Sequence, residues 1–263
     1  MSKQLPTLWH IDVSHYSEKA RWALAWKGVE HRRRAPVPGA HMAVAAWLTR
    51  GGQVTFPVLA IEGRRIGDST AIIAALEELH PDPPLYPADP ELRRHALELE
   101  DFFDEELGPH LRLLAFHELG NDSERFGALM EETAPGPLRR VPGATAAYAR
   151  VFTALRFRAS DTERAETARA KVLAALDRLE AELGEGEYLV GDGFTVADLT
   201  AASLFHPLVL PEEGPLPSDQ PSAAGLERFR EPLKERRGFR WVAEMFRRHR
   251  KPARTAGAGA AAA

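Results

Sequence analysis

The chain has 263 residues, 44% hydrophobic and 27% charged, with a net charge of −4 and no cysteine. That length holds two modest domains in a globular protein, and the absence of cysteine excludes disulfides, thiolate metal sites and a catalytic cysteine. The net charge argues against a protein built mainly to bind nucleic acid, and no apolar signal core or ~20-residue apolar span is present, so a cytoplasmic protein with no membrane partner is expected.

In chain order, Leu8 to Ile11 reads as a strand, followed by a turn and a periodic helical run that Gly28 stops. Ser14 stands at the join, with Tyr16, Ala20, Ala23 and Leu24 repeating at helical spacing toward a core. Two readings of Ser14 fit. Its oxygen can cap the helix by accepting a backbone N–H, or its hydroxyl can hold an anion at the positive end of the helix dipole. A hydrogen bond to a charged group contributes about 1.5–3 kcal/mol and a helix N-terminus about 0.3–1 kcal/mol. Together they lower a thiol from a pKa of about 8.5 to about 6–7, and with no cysteine in the chain such a thiol has to arrive on a ligand.

His31 to Val37 is a plausible second strand, its three arginines suited either to an anion patch or to protecting a sheet edge from pairing. An irregular stretch follows, with one helical turn around Ala43 to Leu48, closed by Gly51 and Gly52. Val58 to Ile61 and Arg65 to Ile66 read as two short strands joined at Glu62-Gly63, and Ser69 to Leu79 as a helix with Ile72, Ile73, Leu76 and Leu79 on its apolar face. Pro57 shapes a strand entrance. Asp68 and Ser69 either cap the helix that follows them or recognise an amine and a carboxylate on one ligand.

SHYSEKARWAL at 14–24, FPVL at 56–59 and GDSTAI at 67–72, in this order, resemble the N-terminal thioredoxin-like domain of the cytosolic glutathione transferases, most closely the serine-type, bacterial-like members. That family carries a serine, cysteine or tyrosine near the first helix, a cis-proline after the irregular segment, and an acid-serine pair opening the third helix. The resemblance implies that Ser14 activates the thiol of glutathione, with His10 a secondary candidate near the position of the tyrosine in tyrosine-type members. It implies further that the backbone of Phe56, before Pro57, holds the cysteinyl amide and that Asp68 and Ser69 hold the γ-glutamyl end. Gln53, with Thr55, is what this chain offers the glycine carboxylate, where many relatives carry a basic or amide side chain. Ser17 stands where redox-active relatives carry a second cysteine, so dithiol reduction is excluded.

HPDPPLYPADP at 80–90 breaks helix and strand and reads as a linker, giving a thioredoxin-like domain over 1–80, a linker over 81–90 and an all-helical domain over 91–263. In the second half Leu92 to Phe116 reads as an acidic helix kinked at Gly108-Pro109, and Thr145 to Phe157 as a helix bordering a substrate cavity. Val172, Leu176, Leu179 and Leu183 form an apolar stripe. Thr195 and Asp198 form a capping box, with Phe194 stapled onto Leu199, and this stretch also resembles the folding motif of the family's helical domain. Trp241, Val242, Met245 and Phe246 share one face of a late helix, leaving Arg240, Arg247, Arg248 and Arg250 as its solvated side.

The expectation is therefore an α/β thioredoxin-like domain joined to an all-α domain. The enzyme would use glutathione as co-substrate against a small, apolar electrophile lodged between the domains, near Phe116, Tyr148 and Phe152, and would form a homodimer. A noncatalytic binding protein on the same fold and a glutathione-dependent isomerase or dehalogenase are the alternatives. His117-Glu118 lacks the second histidine of a zinc protease, no phosphate-binding glycine motif appears, and no metal is expected.

Overall fold

A computed structural model of the chain describes residues 4–36, 40–122, 147, 151, 153–154, 156, 158–216, 222–252 and 255. Strand β1 (Thr7–Trp9), helix α1 (His15–Trp26) and strand β2 (Arg32–Arg34) form a β-α-β unit with parallel strands. Helix α2 (His41–Thr49) leads to strands β3 (Val58–Ile61) and β4 (Arg64–Gly67) and then helix α3 (Ser69–Leu79). The sheet runs in the order β2-β1-β3-β4, with β3 antiparallel to both neighbours. Glu62 and Gly63 join β3 to β4 with φ of 48° and 77°, the two positive values that a tight hairpin turn demands.

The second half holds α4 (Pro90–Phe102), a π-helical segment (Phe103–Leu107), α5 (Gly108–Asn121), α6 (Thr162–Leu183), α7 (Val196–Val209), α8 (Ala224–Arg230) and α9 (Arg237–His249). Helix α7 is buried on every face at its N-terminal end, and α1, α4, α5 and α9 all pack around it. Its start is held by the expected capping box: Asp198 Oδ2 accepts from Thr195 N at 2.8 Å, while Thr195 Oγ1 accepts from Ala197 N at 3.2 Å. Phe194, expected as a staple onto Leu199, lies against the rings of Trp22, Trp26 and His249, so it ties this cap to α1 and α9. Among the described residues no helix is long and apolar enough to cross a membrane.

Several expectations are corrected. His10 and Ile11 follow β1 instead of belonging to it, because the Ile11 amide and carbonyl are taken by Ser17 Oγ and Ser14 N and not by a neighbouring strand. Helix α2 has nine residues, not one turn, its C-terminus closed by Arg50 in the left-handed region. The break in the α4–α5 rod begins at the π-helical segment, five residues ahead of Gly108-Pro109. Arg250 is not on the solvated side of α9, since its side chain is only 10% exposed and pairs with buried Glu18. Arg240, Arg247 and Arg248 do face solvent and pair with Glu235, Glu244 and Glu187. Val37 and most of the helix expected over 145–157 lie outside the described residues.

Candidate functional site

The strand register gathers the candidate residues at one end of the sheet. Trp9 pairs with Val58, and Val58 pairs with Gly67. Because β1 leaves the sheet where β3 enters and β4 leaves, the segments beyond that end are His10 to Ser14, Phe56-Pro57 and Asp68-Ser69. Three stretches spread along residues 10–69 thus meet on one rim.

Ser14 is half-buried and caps α1: its Oγ accepts from Ser17 N at 3.3 Å, as the cap reading required. An oxygen used as an acceptor still carries its hydrogen, so the cap leaves the hydroxyl able to donate to an anion. The loop that carries it is held from several directions. Ser14 N donates to Ile11 O at 3.1 Å, and Ile11 N donates to Ser17 Oγ, also at 3.1 Å. Arg21 donates to Ile11 O at 3.4 Å and to Asp12 O at 3.0 Å.

His10 is buried, and its Nδ1 accepts from Arg21 Nη1 at 2.9 Å. Burial first, and the Arg21 charge second, lower its pKa to about 4. A guanidinium can only donate, so Nδ1 is the bare nitrogen of a neutral ring and the proton sits on Nε2. His10 can therefore give a hydrogen bond through Nε2 but cannot take a proton near neutral pH.

Asp68 opens α3 with φ of 77°, a left-handed conformation that costs a non-glycine residue about 1–3 kcal/mol and is found where function or a cap requires it. Its Oδ1 accepts from Thr70 N at 2.9 Å and Ala71 N at 3.2 Å. Ser69 is buried behind it. Gln53 lies directly over Gly67, where any Cβ would fall 2.5 Å from Gln53 Cγ, so the missing side chain at 67 is what lets Gln53 lie against the end of β4. Gln53 Oε1 accepts from Thr55 Oγ1 at 3.4 Å. The Phe56-Pro57 bond is cis, and both residues are buried at the entrance of β3.

The helical half supplies the facing wall. Tyr16 donates to Asp104 O at 2.7 Å within the π-helical segment, and its hydroxyl rests on Gly108, where a Cβ would meet it at 2.2 Å. Burial and the Asp104 charge push the Tyr16 phenol well up, so it stays a neutral donor. The Arg112 guanidinium lies 5.8 Å from the centre of the same ring. Burial, then Arg112, hold the neighbouring His15 well below its usual pKa. Phe116 is half-buried on α5, whereas Tyr148 and Phe152 lie outside the described residues.

Beneath this wall Lys19, fully buried, places Nζ 2.8 Å from Glu100 Oε1 and 2.5 Å from Asp104 Oδ2, and donates to Thr70 Oγ1 at 2.9 Å. Burial raises the Glu100 carboxyl despite Lys19, moving this group of one ammonium and two carboxylates toward neutrality. Asp104 thus links the π-helical segment to α1 and α3. Lys19, Glu100 and Thr70 were not singled out from sequence. The available signal was three charged residues, Glu18, Lys19 and Arg21, set directly before the apolar run Trp22 to Trp26 in the same helix.

Comparison with known proteins agrees with this architecture. The model of the glutathione S-transferase N-terminal domain matches residues 8–84, and that of the glutathione S-transferase C-terminal domain matches residues 145–231. A probable maleylacetoacetate isomerase of Caenorhabditis elegans is 27% identical over 208 residues, 78% of this chain and 80% of that protein. Among solved structures, a glutathione transferase of Phanerochaete chrysosporium superposes with a TM-score of 0.63 at 19% identity, covering 94% of this chain and 97% of its own. A theta class glutathione S-transferase of Xanthomonas axonopodis pv. citri with glutathione bound superposes with a TM-score of 0.56 at 20% identity, covering 90% and 96%. At these identities the two superpositions show a shared fold.

Proposed function

We propose that this chain, which belongs to the glutathione S-transferase family, is an enzyme that takes glutathione as co-substrate and activates its thiol for attack on a small electrophile held between a thioredoxin-like domain and a helical domain. The observation that carries this reading is the double use of Ser14: its oxygen caps α1 toward Ser17 N, and its hydrogen is left for a sulfur at the helix N-terminus. Glutathione loses its thiol proton to solvent. The sulfur lone pair then forms the bond to the electrophilic carbon while a leaving group departs with its electron pair, or, in an addition, while the adjacent carbon takes up a proton. The protein contributes ionisation and positioning.

In this reading the Phe56 backbone, beside Pro57, meets the cysteinyl amide, Asp68 and Ser69 meet the γ-glutamyl end, and Gln53 with Thr55 meets the glycine carboxylate. His10 acts as a fixed donor and support of the Ser14 loop, not as a base. Residues 81–90 divide the two domains, and the enzyme is a cytoplasmic homodimer.

Removal of the Ser14 hydroxyl tests the central role. Ser14→Ala should raise the pKa of bound glutathione by about 1–2 units, the equivalent of one hydrogen bond to a charged group, with glutathione affinity held within a few-fold. An unchanged pH–rate profile overturns the assignment. Calorimetric titration with reduced glutathione, against S-methylglutathione as comparison, gives the independent readout: binding of the free thiol at neutral pH should release a proton.

A second reading is favoured by the relative named as a probable maleylacetoacetate isomerase. Here glutathione adds to the substrate and leaves again, acting as a true cofactor. The two readings separate on thiol balance, since a transferase consumes one free thiol per turnover and an isomerase returns it.

A further inference from the structure

The C-terminal end of α9 reaches back to the first helix. Arg250 caps α9, and its Nε donates to Glu18 Oε1 at 2.5 Å, across 232 residues of chain. Glu18 is fully buried, and its other oxygen accepts from Arg21 Nε at 2.6 Å. Arg21 in turn holds Ile11 O, Asp12 O and His10 Nδ1. Ile11 O is also the acceptor of Ser14 N, so Arg21 and Ser14 share one carbonyl. Just beside this chain of contacts, Trp22 Nε1 donates to His249 O at 3.2 Å, which fixes the end of α9 against α1.

We propose that Arg250 is a positioning residue for Ser14, acting through Glu18 and Arg21 on the Ile11–Ser14 loop. The inference rests on the reading of Ser14 as the group that meets the glutathione thiol. Glu18 is the hinge of the relay. Burial works to raise its carboxyl, yet the charges of Arg250 and then Arg21 outweigh that and lower it, so it stays ionised between two guanidiniums. A planar guanidinium fixes both the distance and the tilt of the carboxylate it binds. With Arg250 gone, Glu18 keeps a single cationic partner and turns toward it, which draws the Arg21 fork off the carbonyls of Ile11 and Asp12. The other groups facing this cluster are His31 and Arg33 on the β2 side and His206 on α7, none of which bonds Glu18.

The test compares Arg250→Met and Arg250→Lys with the unaltered chain by amide hydrogen exchange and by the pH dependence of turnover. Arg250→Met should speed exchange at the Ile11 and Ser14 amides by about tenfold and raise the pKa of the bound thiol by about one unit, with glutathione KM within about threefold. Arg250→Lys, which keeps the charge, should recover part of both effects. If exchange at Ile11 and Ser14 is unchanged in Arg250→Met and only residues near 246–252 loosen, the relay is overturned and Arg250 is a local anchor. If the unaltered chain shows no lowered thiol pKa, the glutathione reading fails instead, and the exchange rates still decide the relay.

Discussion

Ser14 and His10 show how far a residue type predicts a role and where its neighbours take over. A serine between a strand and a helix was legible as a cap, and it is one. His10 was legible only as a histidine near a site; its pKa of about 4 comes first from burial that no local pattern records and then from Arg21, eleven residues away, which also sets its tautomer. Asp68 is likewise a cap, and recognition of the γ-glutamyl end is the role proposed for it beside Ser69. Asp68→Ala removes two backbone hydrogen bonds and should cost the fold about 1 kcal/mol. Its loss of glutathione affinity should be larger, at least about tenfold, measured by calorimetry beside urea unfolding. Equal losses in the two measurements would leave only the cap.

At the scale of elements, strands, hairpin and helix starts were readable because turn chemistry is local: Glu62-Gly63, Asp68-Ser69 and the Thr195–Asp198 box each declare themselves within four residues. The burial of α1 was not readable. Its residues Ser17 to Leu24 are enclosed on both sides, by α3 and by α7, so Glu18, Lys19 and Arg21 are interior charges even though charged residues are usually solvated. Lys19 joins α1 to α3, α4 and the π-helical segment at once. Lys19→Met should destabilise the fold by about 3–5 kcal/mol, because it strands buried Glu100 and Asp104 without a cation. Lys19→Met combined with Glu100→Gln should recover part of that loss in urea unfolding; strictly additive losses would contradict a shared ion cluster.

Taken whole, the molecule hides histidines. His10 and His206 are buried, with pKa values lowered to about 4, and burial lowers His15 and His31 as well. In the unfolded chain each returns to about 6.5, so between about pH 6.5 and 4 the unfolded state binds protons that the folded state refuses. Stability should therefore be insensitive to these groups above about pH 6.5 and fall as the pH drops below it. Each contributes up to about 1.4 kcal/mol per pH unit. Burial raises Asp198 to about 6 and acts in the opposite sense below that pH, so the test is a difference: in urea unfolding at pH 7, 6 and 5, His206→Gln should flatten the slope by about one proton relative to the unaltered chain, and an unchanged slope would refute it.

The π-helical segment between α4 and α5 carries a consequence for insertions and deletions. A π-turn holds one residue more than the α-turn it replaces, and one residue is about 100° of rotation about the helix axis. The rod is thus out of phase with itself on either side of Phe103–Leu107. Winding the same residues as an unbroken α-helix would turn Gly108 and Arg112 by about 100° away from Tyr16, whereas deleting one of Asp104, Glu105 or Glu106 would leave an α-turn with the faces on either side still in place. For this family member, that turn is where the rod can lose one residue and still present both of its faces.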